Sequence, residues 1–263
     1  MTIAVILGAL VGLIMGLTGA GGGIIAVPIL VFALHLSVAQ AGPIALMAVA
    51  IAAAIGTALG LKNRIVRYRA ALLVALAGIL TAPTGVWLGQ RLNIRFLNAI
   101  FAVVLFWVAY KSYRESRQVD SPTVSKAAPP CHLDAISGRF IWTFQCAARF
   151  SVAGSIAGVL SGLLGVGGGF VIVPVLQRYT DLSAQSVIAT SLSVVALISM
   201  SGVFTSLWGG HLDIAIGTTF AVGAVIGMLV GGLLAKRLSP RYLKLTFAII
   251  CLGVAGEMLL KAR

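Results

Sequence analysis

Apolar residues run in long blocks at about 3–17, 27–35, 43–61, 70–89, 96–111, 149–164, 171–178, 183–208, 214–235 and 242–260. Several blocks reach the roughly 18–20 residues that an α-helix needs to cross a hydrocarbon core of about 30 Å. In lipid every backbone polar group must be paired within the protein, so blocks of this kind predict helices rather than open strands. The pattern therefore predicts an all-α integral membrane protein. The one long polar stretch, about 112–138, carries Lys111, Arg114, Arg117 and Lys126 at or near its start and within it, together with Pro122, Pro129 and Pro130, and reads as a linker. Phe140–Phe150, bracketed by Arg139 and Arg149, is too short to span and predicts a short helix lying in the interface. The resulting division is a first membrane repeat at 1–111, a linker with an interfacial helix at 112–148, and a second membrane repeat at 149–263. The first 17 residues have no cation ahead of them and no sharp stop, so they read as mature structure rather than a cleaved signal.

The repeats are visible by sliding the chain on itself by 146 residues (165 minus 19). Gly19-Ala20-Gly21-Gly22-Gly23-Ile24-Ile25-Ala26-Val27-Pro28 then falls on Gly165-Val166-Gly167-Gly168-Gly169-Phe170-Val171-Ile172-Val173-Pro174. Leu36-Ser37 falls on Leu182-Ser183, Gly56 on Gly202, Gly85 on Gly231, and Arg91-Leu92 on Arg237-Leu238. The chain is a tandem duplication.

Charge decides how the halves are oriented. If the short blocks at 3–17 and 27–35 are two full crossings, the repeats are parallel and the 19 cations split 12 to 7 between the two sides. If they form a re-entrant element, the repeats are inverted and the split is 15 to 4, with only Arg91, Arg95, Lys261 and Arg263 on the poorer side. The positive-inside bias favours the second arrangement. The expected fold is thus two inverted repeats with both termini outside the cytoplasm. Each would hold a glycine-loop re-entrant or broken-helix element plus three spanning helices, about eight hydrophobic helices in all.

Composition agrees and narrows the class. Hydrophobic residues make up 60% and charged residues only 10%, against about 25% charged in a soluble domain. The net charge of +13 sits between apolar blocks rather than on one face of a soluble fold, so nucleic acid is not an expected partner. The three cysteines, Cys131, Cys146 and Cys251, show no metal or redox spacing and read as apolar filler.

The duplicated glycine blocks carry the candidate chemistry. Consecutive glycines adopt backbone angles closed to other residues and leave peptide N–H groups uncovered, which makes anion-binding nests. Pro28 and Pro174 suit the first turn of a following helix, whose N-terminus carries about half a positive charge. Two inverted copies would bring two such ends together near the bilayer midplane, a setting suited to a small oxyanion. Isolated glycines such as Gly8, Gly12, Gly223 and Gly227 read instead as helix-packing residues. Hydroxyls are concentrated in the 183–208 block, and Thr190-Ser191 are the selected pair, although such hydroxyls often bond their own helix. Gln177, at the far end of the helix after Pro174, could reach a ligand or face the interface. No Asp or Glu lies mid-span, and neither an acid–base pair, a metal cluster nor a GxxxxGK[ST] motif is visible, so neither an enzyme nor a cofactor is expected.

The paired Gly-x-Gly-Gly-Gly-x4-Pro blocks at 19–28 and 165–174, with Ala189-Thr190-Ser191-Leu192 after the second, resemble the sulfite exporter TauE/SafE family of membrane permeases. The resemblance implies a bacterial inner-membrane carrier of small sulfur-containing anions such as sulfite or sulfoacetate, embedded in the bilayer. Its motif positions here are Gly19, Gly21, Gly22, Gly23, Pro28, Gly165, Gly167, Gly168, Gly169, Pro174, Thr190 and Ser191. Ile44-Ala45 stand where the second repeat has Thr190-Ser191, so the two halves differ. An anion channel using the same loops is the alternative reading, with a membrane-embedded enzyme ranked below it. A homo-oligomer is left open.

Overall fold

The computed structural model describes residues 2–19, 21–92, 94–117, 131, 144–180, 182–208, 213–235, 248–249 and 251–256. Nine helices follow in order among the described residues: α1 Thr2–Thr18, α2 Gly21–Ala33, α3 Val38–Lys62, α4 Tyr68–Arg91, α5 Ile94–Arg117, α6 Phe144–Leu164, α7 Gly169–Tyr179, α8 Ala184–Trp208 and α9 Ile214–Leu234. The described residues at 248–249 and 251–256 are also helical; most of the expected 242–260 block and of the linker lies outside the described residues. Five helices, α3, α4, α6, α8 and α9, are long and apolar enough to cross a membrane. Their outer faces are strongly apolar: Leu80, Leu233, Phe204 and Trp208 are all exposed. A soluble monomer does not present apolar surface on that scale. The protein is a multi-pass membrane protein, helical throughout nearly all of its described residues.

The 146-residue shift maps the helices of one half onto the other: α3 onto α8 and the start of α4 onto the start of α9. Contacts follow the same exchange, because α1 packs on α9 of the other half while α6 packs on α4. Glycine makes both seams. A Cβ on Gly8, Gly12 or Gly16 would strike the backbone of Phe220, Ala224 or Met228, and one on Gly223, Gly227 or Gly231 would strike Val5, Ala9 or Leu13. This four-residue spacing lets two backbones meet without intervening side chains, and the contacts advance together, so α1 and α9 run parallel. Gly154, Gly158 and Gly162 do the same against Val74, Gly78 and Ala82 of α4. The packing role expected for Gly8, Gly12, Gly223 and Gly227 is the one they have.

The central pair, α3 and α8, runs the other way. Gly56 abuts Leu192, Gly60 abuts Ala189 and Gly202 abuts Leu46, so residue numbers rise on one helix as they fall on the other. The equivalent helices α3 and α8 are therefore antiparallel. Two helix starts are set by local chemistry: Ser37 N donates to Gln40 Oε1 (3.3 Å) at α3, and Asp213 Oδ1 accepts from Ala215 N (3.0 Å) and Ile216 N (3.2 Å) at α9.

Three local expectations are corrected. Of the expected interfacial helix at 140–150, residues 140–143 lie outside the described residues, and Phe144–Phe150 are the first turns of α6, which runs unbroken to Leu164. Ser112–Arg117 continue α5 and do not belong to the linker. Cys131 and Cys146 are not unpaired filler but form a disulfide, and Cys131 also bridges Thr180 just past α7. Cys251 is free and buried.

Candidate functional site

The two glycine blocks break the chain at equivalent points but in different ways. In the first, Gly19 takes a φ of +78° and α2 begins at Gly21, so Gly21, Gly22 and Gly23 form the opening turn of a helix. In the second, Gly165 (φ +71°), Gly167 (+74°) and Gly168 (+67°) form a longer left-handed turn, and α7 begins at Gly169 with Gly168 as its N-cap. Side chains rarely adopt these angles, and a branched one would be strained there. The blocks are thus one loop and one helical start, rather than two identical loops.

Both short helices fold back on the helix before them. Gly22 sits against Met15 and Val11 of α1, and Gly168 sits against Ala157 of α6. The prolines are not first-turn residues as expected: Pro28 and Pro174 lie inside α2 and α7. Lacking an N–H, each leaves the carbonyl four residues earlier, on Ile24 and Phe170, without its helical donor. The duplicated proline thus loosens each helix just beyond its start.

The breaks meet each other and the central helices. A Cβ on Gly23 would run into the Val166 carbonyl, which places the start of α2 against the second turn. Gly19 packs on Ile188 of α8, and Gly165 packs on Gly42 of α3, the position 146 residues earlier. The residues from Gly22 to Pro28 and from Gly165 to Phe170 are all buried. Helix N-termini brought together in a dry interior concentrate peptide donors and positive partial charge without any ionised side chain.

Ser191 and Thr190 are both fully buried. Ser191 Oγ shares its one proton between the Gly19 carbonyl (2.9 Å) and Ile188 O (3.0 Å), and so ties α8 to the first break. Thr190 Oγ1 accepts from Arg67 N (3.1 Å), which fixes the chain entering α4. Ser193, Ser201, Thr205 and Ser206 donate to carbonyls of their own helix. Gln177 is exposed, eight residues along α7 from Gly169, and so about 12 Å from the turn at 1.5 Å per residue; it is not gathered with the others. The residue that sequence reasoning passed over is Ser199, whose Oγ lies 2.7 Å from the place of a Cβ on Gly167. The signal was present: the repeat sets Ser199 over Ala53 (199 minus 146), a hydroxyl against a methyl at one structural position.

The family profile described as sulfite exporter TauE/SafE matches residues 4–258. The chain belongs to this family. Among its relatives, a probable membrane transporter protein of Xylella fastidiosa is 30% identical over 94% of this chain and 90% of its own length. The probable membrane transporter protein YunE of Bacillus subtilis is 20% identical over 98% and 96%. The probable membrane transporter protein MJ0441 of Methanocaldococcus jannaschii is 26% identical over 97% and 94%. No solved structure matches the chain. Membership makes this a membrane transporter.

Proposed function

We propose that the protein is a secondary carrier that moves small sulfur-containing anions, such as sulfite or sulfoacetate, across a bacterial inner membrane by alternating access around the two glycine breaks. The observation that carries this reading is the meeting of the α2 start with the second turn, at Gly23 and Val166, inside a buried interior. Neither turn contains a cation, so recognition falls to backbone donors, helix ends and hydroxyls, a combination suited to an anion shared between oxygens. The binding positions are Gly19, Gly21, Gly22, Gly23 and Pro28 in the first half, then Gly165, Gly167, Gly168, Gly169 and Pro174 in the second. Thr190 and Ser191 hold the surroundings in place, and Gln177 stands apart at the end of α7.

The two halves are inverted repeats in this reading, which the antiparallel run of α3 and α8 supports. The fold-back of α2 on α1 and of α7 on α6 favours re-entrant hairpins over helices broken in series. The cation-rich side then faces the cytoplasm. Export follows from charge, because an inside-negative potential drives anions outward. Purified protein in detergent tests the substrate class: sulfite, thiosulfate or sulfoacetate raises the unfolding temperature in a saturable way, whereas choline or lysine does not. Equal stabilisation by cations and anions would contradict anion binding.

A further inference from the structure

Ser199 is buried with 0% exposure, and its Oγ has no hydrogen-bond partner. Three other serines of α8 bond carbonyls: Ser191 that of Gly19, Ser193 that of Ala189, Ser201 that of Ile198. A hydroxyl removed from water without a partner is destabilising, and folded proteins rarely keep one. Its position gives the reason. Ser199 Oγ faces the left-handed turn at Gly167, where a Cβ would stand 2.7 Å from the hydroxyl and 3.2 Å from the Cγ1 atoms of Val195 and Val49.

That turn leads directly into α7, an 11-residue helix whose N-cap Gly168 offers no side-chain cap. Val171 N bonds the Gly168 carbonyl (3.1 Å), while the N–H groups of Gly169 and Phe170, ahead of it, have no partner within the helix. A hydroxyl donor and a helix start without a side-chain cap therefore lie at one turn, with Val195 and Val49 beside it. The first half lacks this arrangement: Ala53 occupies the position equivalent to Ser199, and Ser191 is already bonded to Gly19.

We propose that Ser199 is the side-chain donor for the transported oxyanion, so that the second glycine turn supplies the side-chain contact at the site where the two breaks meet. This deepens the carrier reading and rests on it. One anion oxygen takes the Ser199 hydroxyl, and another takes the backbone donors at the start of α7. A hydroxyl donor needs no titratable proton and works unchanged across the pH range of a cell. In the present packing Gly167 lies against Ser199, so the anion enters only by moving the turn away from α8. The hydroxyl gains its partner in the loaded carrier, which links binding to the shift that opens one side.

The test compares the wild type with Ser199→Ala in proteoliposomes and in detergent, using radiolabelled sulfite. Removing an unpartnered hydroxyl leaves the empty carrier at least as stable as the wild type. The KM for sulfite counterflow rises by about tenfold, the loss expected for one hydrogen bond to a charged ligand, while kcat stays within about twofold. The stabilisation produced by sulfite shrinks in parallel. An unchanged KM and an unchanged sulfite-induced shift, with the wild type transporting normally, would overturn the role of Ser199 and leave the carrier reading standing. A lower unfolding temperature for the empty variant would assign Ser199 to packing instead. Absence of saturable sulfite counterflow by the wild type would overturn both.

Discussion

The Ser191 hydroxyl on α8 donates to the carbonyl of Gly19 at 2.9 Å, a bond spanning 172 residues that ties the central helix of the second half to the break in the first. Both groups are buried, so deleting the hydroxyl leaves a carbonyl without this donor. Ser191→Ala is expected to destabilise the protein by about 1–2 kcal/mol. Ser193 offers the control, because its hydroxyl serves only its own helix at Ala189. Thermal unfolding in detergent should place Ser191→Ala clearly below Ser193→Ala; equal midpoints would mean that the link to Gly19 contributes nothing.

Close approach of the two breaks predicts a graded glycine series. Gly23→Ala adds a methyl group where the Val166 carbonyl already lies, whereas Gly232→Ala adds one with nothing within 4 Å. Transport by Gly23→Ala should fall at least about tenfold, since a displacement near 1 Å at a binding site can cost about a hundredfold. Membrane insertion should be unchanged, and Gly232→Ala should transport as the wild type does. Flux assays normalised to inserted protein check both.

Glycines in the helix seams should behave differently from those in the breaks. A side chain at Gly12 or Gly158 collides with the backbone of Ala224 or Gly78 and forces two helices apart along their length. Gly12→Val and Gly158→Val are expected to lose monodisperse protein on gel filtration before any effect on transport can be read. A well-folded Gly158→Val would show that the α4–α6 seam tolerates separation.

Orientation and the disulfide constrain each other. Cys131–Cys146 closes a separation of 15 residues, which the loop-closure estimate makes worth about 3 kcal/mol once formed. The proposed topology places both cysteines at the cytoplasmic face, where thiols are normally kept reduced. Trapping thiols in intact cells, followed by a maleimide gel shift, should therefore find these cysteines reduced, with the bond forming after purification in air. A bond already closed in growing cells would put this face on the outside and reverse the proposed orientation.

Much of this architecture was legible because duplication leaves a long-range signature. The 146-residue shift gave α3 and α8 their correspondence, and the imbalance of cations favoured the antiparallel relation that Gly56–Leu192 and Gly202–Leu46 display. The exchange of α1 onto α9 was not legible, because a glycine spacing marks a seam without naming its partner. Cys131 and Cys146 were missed since pairing depends on where the chain ahead of α6 returns. Pro28 and Pro174 were misplaced because Gly21–Gly23 can open a helix as readily as a loop, and only the backbone angles decide. Ser199 was passed over among nine hydroxyls of similar sequence context; what distinguishes it is a buried Oγ that makes no hydrogen bond, a property of packing.

Counterflow in proteoliposomes tests the central claim most directly. Vesicles holding wild-type protein and loaded with unlabelled sulfite should take up external radiolabelled sulfite in a transient, saturable overshoot, and Gly168→Val should abolish it while inserting normally. Flux that rises linearly with concentration, or an overshoot that survives Gly168→Val, would contradict a carrier built around the two glycine breaks.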